Sequence, residues 1–198
     1  MRSMRWALTG VVFVLASCGG GSSSNTSEES PTSTVVETEV VYKVGDTGPG
    51  GGIIVYVDEA GFTSEQILGC GFEEMCHYIE MAPSDLDGSY TWLEATKVVL
   101  EYSTATADDW FLPSMNSLNQ ICKYAFGDTV NEYCNENGTG QFMKSVGGFA
   151  DDFYWAVEQE SGAVSYVQSF YEGVDYTGGN IQTASVDRKH RVRPVRVF

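Results

Sequence analysis

Residues 91–127 read TWLEATKVVLEYSTATADDWFLPSMNSLNQICKYAFG, and this stretch decides the fold class. Trp92, Ala95, Val98, Val99 and Tyr102 recur at the spacing that puts side chains on one helix face. Thr91 with Glu94 has the form of a capping box, in which each side chain satisfies a backbone N–H of the other. A first helix is therefore expected over Thr91–Tyr102. Leu112-Pro113-Ser114 introduces a second, with Ser114 as N-cap and Leu118, Ile121, Cys122 and Ala125 as its inner face. Gly127 follows as a stop, because glycine accepts the left-handed backbone that ends a helix.

The flanks read differently. Upstream, Val40–Val44 is strand-like, Asp46–Gly52 is a turn cluster, and Ile53–Val57 is a run of β-branched residues and Tyr. Downstream, Phe153–Val157, Val164–Phe170 and Arg191–Phe198 read as short strands between Gly, Asn and Asp. Two early helices and several late strands make an α+β domain. The glycines at 48 and 50–52 are not a phosphate loop, since no Lys-Ser/Thr pair follows and a strand comes next. They are expected to permit tight turning and close backbone approach.

The 198 residues suffice for one domain with a tail. Arg2 and Arg5 precede an apolar run, Trp6–Ala16, which falls short of the about 20 apolar residues a spanning helix needs. The pattern is that of a secretory signal over residues 1–17. Leu15-Ala16-Ser17-Cys18 resembles a bacterial lipobox, which implies lipid on the Cys18 thiol and cleavage before it. A plain signal peptide with an incidental cysteine is the alternative. Acyl chains contribute about 0.8 kcal/mol per buried CH₂, so two or three of them anchor a protein stably. Residues 18–39 are then an anchor cysteine and a linker of Gly, Ser, Thr, Glu and Pro, about 25 Å in root-mean-square span. The folded domain is expected over 40–198, outside the cytoplasm, at the outer membrane or cell surface.

Charge narrows the partners. Eleven Lys and Arg stand against 27 Asp and Glu, a net charge of −16. Loss of residues 1–17 removes two arginines and takes the chain to −18. Nucleic acid is excluded as a partner, because its affinity comes from neutralised phosphates. An electrostatic grip on anionic lipid is excluded for the same reason. Five of the nine remaining bases are Arg188, Lys189, Arg191, Arg193 and Arg196, so an acidic body ends in a basic strand. Solubility accounts for the acidic body, and capture of a cation or basic partner is the sharper reading.

Beyond Cys18 there are four cysteines, an even number in an exported domain, and disulfides are expected. Of three possible pairings the local one, Cys70–Cys76 with Cys122–Cys134, closes one loop each. Spacings of five and eleven intervening residues do not suit a structural zinc site. His77 and His190 have no metal-ligand spacing, no nucleophile elbow occurs, and Asp108-Asp109 and Asp151-Asp152 lack a calcium-loop context. Neither a cofactor, a metal nor an enzymatic activity is expected.

Five segments in order carry a resemblance. They are Gly45–Ile53 with Tyr56-Val57-Asp58, His77–Pro83, Asp109–Ser114 with Leu118-Asn119, Tyr154-Trp155, and Arg191–Arg196. Together they resemble the C-terminal domain family of the Legionella collagen-like adhesin, over about residues 43–198. The resemblance implies a C-type lectin-like α+β domain with two helices, a mainly antiparallel sheet, and N- and C-terminal strands close together. Here Tyr154-Trp155 continues as Ala156-Val157-Glu158 where members of the family often have Ser-Ser and an acid. The sulfated glycosaminoglycans associated with that adhesin do not suit a domain at −18. The Glu-Pro-Asn, Gln-Pro-Asp and Trp-Asn-Asp motifs of calcium-dependent lectins are absent from the sequence.

The reading that follows is a lipid-anchored, non-enzymatic recognition or adhesion domain that binds a glycan or another envelope component. A structural envelope lipoprotein with no small ligand is the alternative. Asp109, Trp110, Tyr154, Trp155 and Arg193 are expected to be architectural, with both tryptophans in the core and Arg193 paired to a carboxylate, Asp109 by choice. Any ligand is expected at the glycine- and tyrosine-bearing loops 138–148 and 172–183, with Tyr166, Tyr171 and Tyr176 as exposed aromatics.

Overall fold

The computed structural model describes residues 40–71, 73–129, 131–134, 146–171 and 178–198. The Asp46–Gly52 turn sends the chain into β1 (Ile53–Phe62), which pairs antiparallel with β2 (Cys76–Met81). The expected strand at Val40–Val44 does not form, and Val40, Val41 and Val44 stand exposed. β-Branched residues favour a strand only where a neighbouring strand and a packed face receive them. This segment meets β1 only at the turn, where Gly45 N–H donates to Ile54 O and Ile54 N–H to Asp46 O. The first described residues still lie beside the C-terminal strand: the Tyr42 ring sits edge-on to Tyr78 and Phe198, at 5.5 and 5.9 Å.

Helix α1 spans Trp92–Val98 and continues as a 3₁₀ turn over Val99–Glu101. Its capping box is present, with Glu94 N–H donating to Thr91 Oγ1 and Thr91 N–H to the Glu94 carboxylate. Helix α2 spans Met115–Phe126 between a Ser114 N-cap and a Gly127 C-cap at φ 65°. Leu118, Ile121, Cys122 and Ala125 are buried, as the spacing predicts.

The second half of the domain is β3 (Phe153–Ser161), β4 (Val164–Ser169), β5 (Ile181–Ser185) and β6 (Val195–Val197). All pairings between strands are antiparallel, and they make two sheets rather than one: β1-β2-β6 and β3-β4-β5. The expected terminal strand shortens to three residues. Pro194 has no N–H to give a ladder, and Arg191 makes only an isolated bridge to Tyr154. The fold class is thus α+β with two helices.

One core joins α2 to β1, β2 and β6 and to Tyr154, Ala156 and Phe170 of the second sheet region. A smaller cluster lies across β3, where Trp155 packs with Val167, Val192, Ala95 of α1 and Val99 of the following 3₁₀ turn. Successive strand residues face opposite sides, so the Tyr154-Trp155 pair serves both clusters. Two disulfides, Cys70–Cys76 and Cys122–Cys134, with Cα separations of 5.9 and 5.7 Å, are buried within the larger core.

Candidate functional site

The motif residues converge on two buried ion-pair knots. Glu80 lies on β2 and is 0% exposed. Its Oε1 accepts the Gly52 N–H at 2.6 Å, and its Oε2 accepts the Gly50 N–H at 3.0 Å and Arg196 Nη1 at 3.1 Å. The register sets Arg196 of β6 directly opposite Glu80. Arg196 also grips Asp109 through Nε and Nη2, at 2.8 and 2.9 Å. The glycines are there for close approach: a Cβ on Gly52 would run into the Met81 carbonyl oxygen, and one on Gly50 would meet Arg196 and Trp110 at 2.9 Å. Trp110, buried against Tyr102 at 5.6 Å, closes this knot.

Arg193 centres the second knot and is also 0% exposed. Its Nε donates to Asp85 Oδ1 at 2.7 Å, Nη1 to Ala82 O at 3.0 Å and Nη2 to Gly148 O at 3.2 Å. The guanidinium lies 4.4 Å over the Phe149 ring. Asp85 Oδ2 accepts the Tyr154 hydroxyl at 2.6 Å. Burial and then the Asp85 charge push the Tyr154 phenol well above its usual range, so it stays a donor. The expected Arg193–Asp109 pair is therefore corrected: Arg193 takes Asp85, and Asp109 takes Arg196. Pro194 separates the two arginines, and only Arg196 enters the β6 ladder that faces β2. Trp155 is buried with its indole N–H on Tyr90 O at 2.7 Å. The carboxylates and guanidiniums of both knots are paired with one another, while the buried Trp110 Nε1 has no hydrogen-bond partner.

An open position exists beside β5. The register places Phe153, Trp155, Val167, Gln182 and Ala184 on one face of the second sheet. Trp155 packs with Ala95 of α1 and Val99 of the 3₁₀ turn over β3. Toward β5 a cleft of about 330 Å³ is lined by Phe153, Val167, Gln182, Thr183, Arg188 and His190, with Ala184 and Ser185 at its edge. A turn sets the rim, with Arg188 N–H donating to Ser185 O at 2.9 Å. His190 is 8% exposed and stands edge-on to Trp155 and Phe153, at 4.7 and 5.6 Å. Both its ring nitrogens lack a hydrogen-bond partner; Nδ1 comes no closer than 3.8 Å to Asp152 Oδ1. Burial works to raise the Asp152 pKa, but His190, the Phe153 N–H and Arg191 outweigh it and hold the carboxyl below its ordinary value.

Chemically, the cleft offers an apolar floor, amide and hydroxyl groups, and a guanidinium. That set can hold a polar molecule with one apolar face. Gln182 and Thr183 close the expected 172–183 loop; residues 172–177, Tyr176 among them, lie outside the described residues, as do 138–145 of the other loop. Tyr166 and Tyr171 are half-buried rather than exposed. Sequence reasoning passed over Arg188 and His190, although their signal was present in the basic run Arg188–Arg191 of an acidic chain. Among the described residues, no group of three or more His, Cys, Asp or Glu is placed to hold a metal ion, and no helix is long and apolar enough to cross a membrane. No family model and no curated protein matches the chain, so the site rests on its own geometry.

Proposed function

We propose that this chain is a lipid-anchored, extracytoplasmic recognition module that binds a glycan in the β5 cleft. The carrying observation is the cleft itself: an aromatic and aliphatic floor, Phe153 and Val167, ringed by Gln182, Thr183, Arg188 and His190. A pyranose has the matching character, with one C–H face and a rim of hydroxyls, and pockets for small ligands begin near about 300 Å³. The resemblance to a C-type lectin-like family supports the same reading, as do the two helices and the meeting of the first described residues with the C-terminal strand. The lipobox-like Leu15–Cys18 and the Gly/Ser/Thr composition of 18–39 support a tethered module.

The test is a glycan array probed with the full-length protein in detergent, with and without calcium, beside Gln182→Ala and Thr183→Ala. Both positions are exposed, so neither substitution should disturb folding. Hits lost in the two variants support the cleft. Hits retained in both move the site elsewhere. An empty array combined with specific cross-links to an envelope protein establishes the structural alternative. In the same cells, Cys18→Ser should abolish acylation and detergent-phase partitioning; unchanged partitioning refutes the anchor.

A further inference from the structure

Clefts among the described residues differ in charge. The one beside α1 is lined by Lys97 and Lys189 together with Glu94 and Glu101, and the one beside α2 holds Lys123 with Asp128. Each of those sets its cations against carboxylates of its own. Among the described residues, the lining of the β5 cleft includes Arg188 and His190 and no carboxylate, the nearest to His190 being Asp152 at 3.8 Å. This is out of proportion to the chain, where only Lys43, Lys97, Lys123 and Lys144 oppose 27 acids between residues 18 and 187.

We infer that the β5 cleft selects a saccharide end bearing a single carboxylate, a uronic acid, with Arg188 as its anion anchor. This rests on the recognition reading above and names its ligand class. The guanidinium is planar and donates through two parallel N–H groups, the geometry a carboxylate accepts. Arg188 is exposed at the rim, held by its own backbone turn. The buried His190 ring walls the cleft beside it, with Nδ1 facing Asp152 Oδ1 at 3.8 Å. Gln182 faces the hydroxyls, and Phe153 and Val167 the C–H face.

The surrounding charge sets the size limit. Fields decay over a Debye length of about 8 Å at physiological salt, so one carboxylate in the cleft feels chiefly Arg188. A long polyanion extends over the acidic body and is repelled there. A phosphate monoester carries close to two charges and meets more of that repulsion than a carboxylate does. The inferred order is therefore uronate above neutral hexose, with phosphorylated sugar and polymeric acid disfavoured.

The experiment titrates the full-length protein in detergent with glucuronate, galacturonate, the two matching neutral hexoses, glucose 6-phosphate and polygalacturonate. At least one uronate should bind about tenfold tighter than its hexose, the worth of one charge-assisted contact, and weaken as salt is added. Arg188→Gln should erase that gap and leave thermal stability unchanged, while Gln182→Ala weakens acid and hexose alike. His190→Gln should also lower uronate affinity. If hexose binds as well as uronate, or Arg188→Gln changes nothing, the ligand class is wrong while the recognition reading stands on Gln182→Ala. Tighter binding of glucose 6-phosphate or of the polymer overturns the size and charge argument. Absence of binding by every sugar overturns the ligand class, and only an empty glycan array as well removes the recognition reading.

Discussion

Glu80→Gln isolates what the glycine turn is for. The substitution keeps the shape of the side chain and removes its charge. In the native protein both carboxylate oxygens face donors: the Gly52 N–H, the Gly50 N–H and Arg196 Nη1. A carboxamide has one acceptor oxygen and one NH₂. Whichever way it turns, its NH₂ faces at least one of those donors, and Arg196 loses its buried counter-charge. Removing one partner of a buried pair costs about 3–5 kcal/mol. For a domain of this size about 1 kcal/mol moves the melting temperature by about 2–4 °C, so a fall of roughly 6–20 °C is expected. Asp109→Asn is the control. It removes one charge from the same arginine, but the Asp109 side chain is 54% exposed, and losing such a pair costs about 0–1 kcal/mol. Both variants relieve the same unit of net charge, so general repulsion cancels in the comparison. The assay is urea and thermal unfolding followed by circular dichroism on both variants and the double mutant. If Asp109→Asn destabilises as much as Glu80→Gln, or Glu80→Gln costs under about 1 kcal/mol, the buried carboxylate is not what holds the turn.

Further outcomes follow from the same geometry. Arg193→Ala strands Asp85 and should cost about 3–5 kcal/mol, and Trp155→Ala, which vacates the smaller cluster, a similar amount; intact stability of Trp155→Ala with loss of glycan binding would mean that core and site are reversed. Non-reducing peptide mapping should give Cys70–Cys76 and Cys122–Cys134, each contributing about 2–3 kcal/mol in the chain-entropy account, and a Cys70–Cys134 peptide refutes the pairing. Asp152 has a folded pKa below its unfolded value, so its contribution is full above the unfolded pKa of about 3.9 and is lost as pH falls through the folded one. The stability difference between wild type and Asp152→Asn should accordingly shrink as pH falls below about 4; a difference that grows in that range would reverse the sign of the shift.

Local chemistry was legible in the chain. Thr91 with Glu94, Ser114 and Gly127 mark the helix ends because capping uses residues within four positions of one another. The disulfide partners could be paired locally for the same reason, each closing a short loop. The α+β class follows from the change of period between residues 91–127 and the strands on either side. Tertiary structure decided the rest. Val40–Val44 has the composition of a strand and no strand to pair with, and composition does not report pairing partners. β5, with exposed Gln182 and Thr183, lacks the apolar alternation of a half-buried strand and becomes one only by pairing with β4. Arg193 and Arg196 are alike in sequence, and which carboxylate each takes depends on where Pro194 stops the ladder. The β5 cleft joins Phe153 to Arg188 and His190, residues more than thirty positions apart. Nothing in either segment alone announces the other, since a concave surface is a property of packed elements and not of their order in the chain.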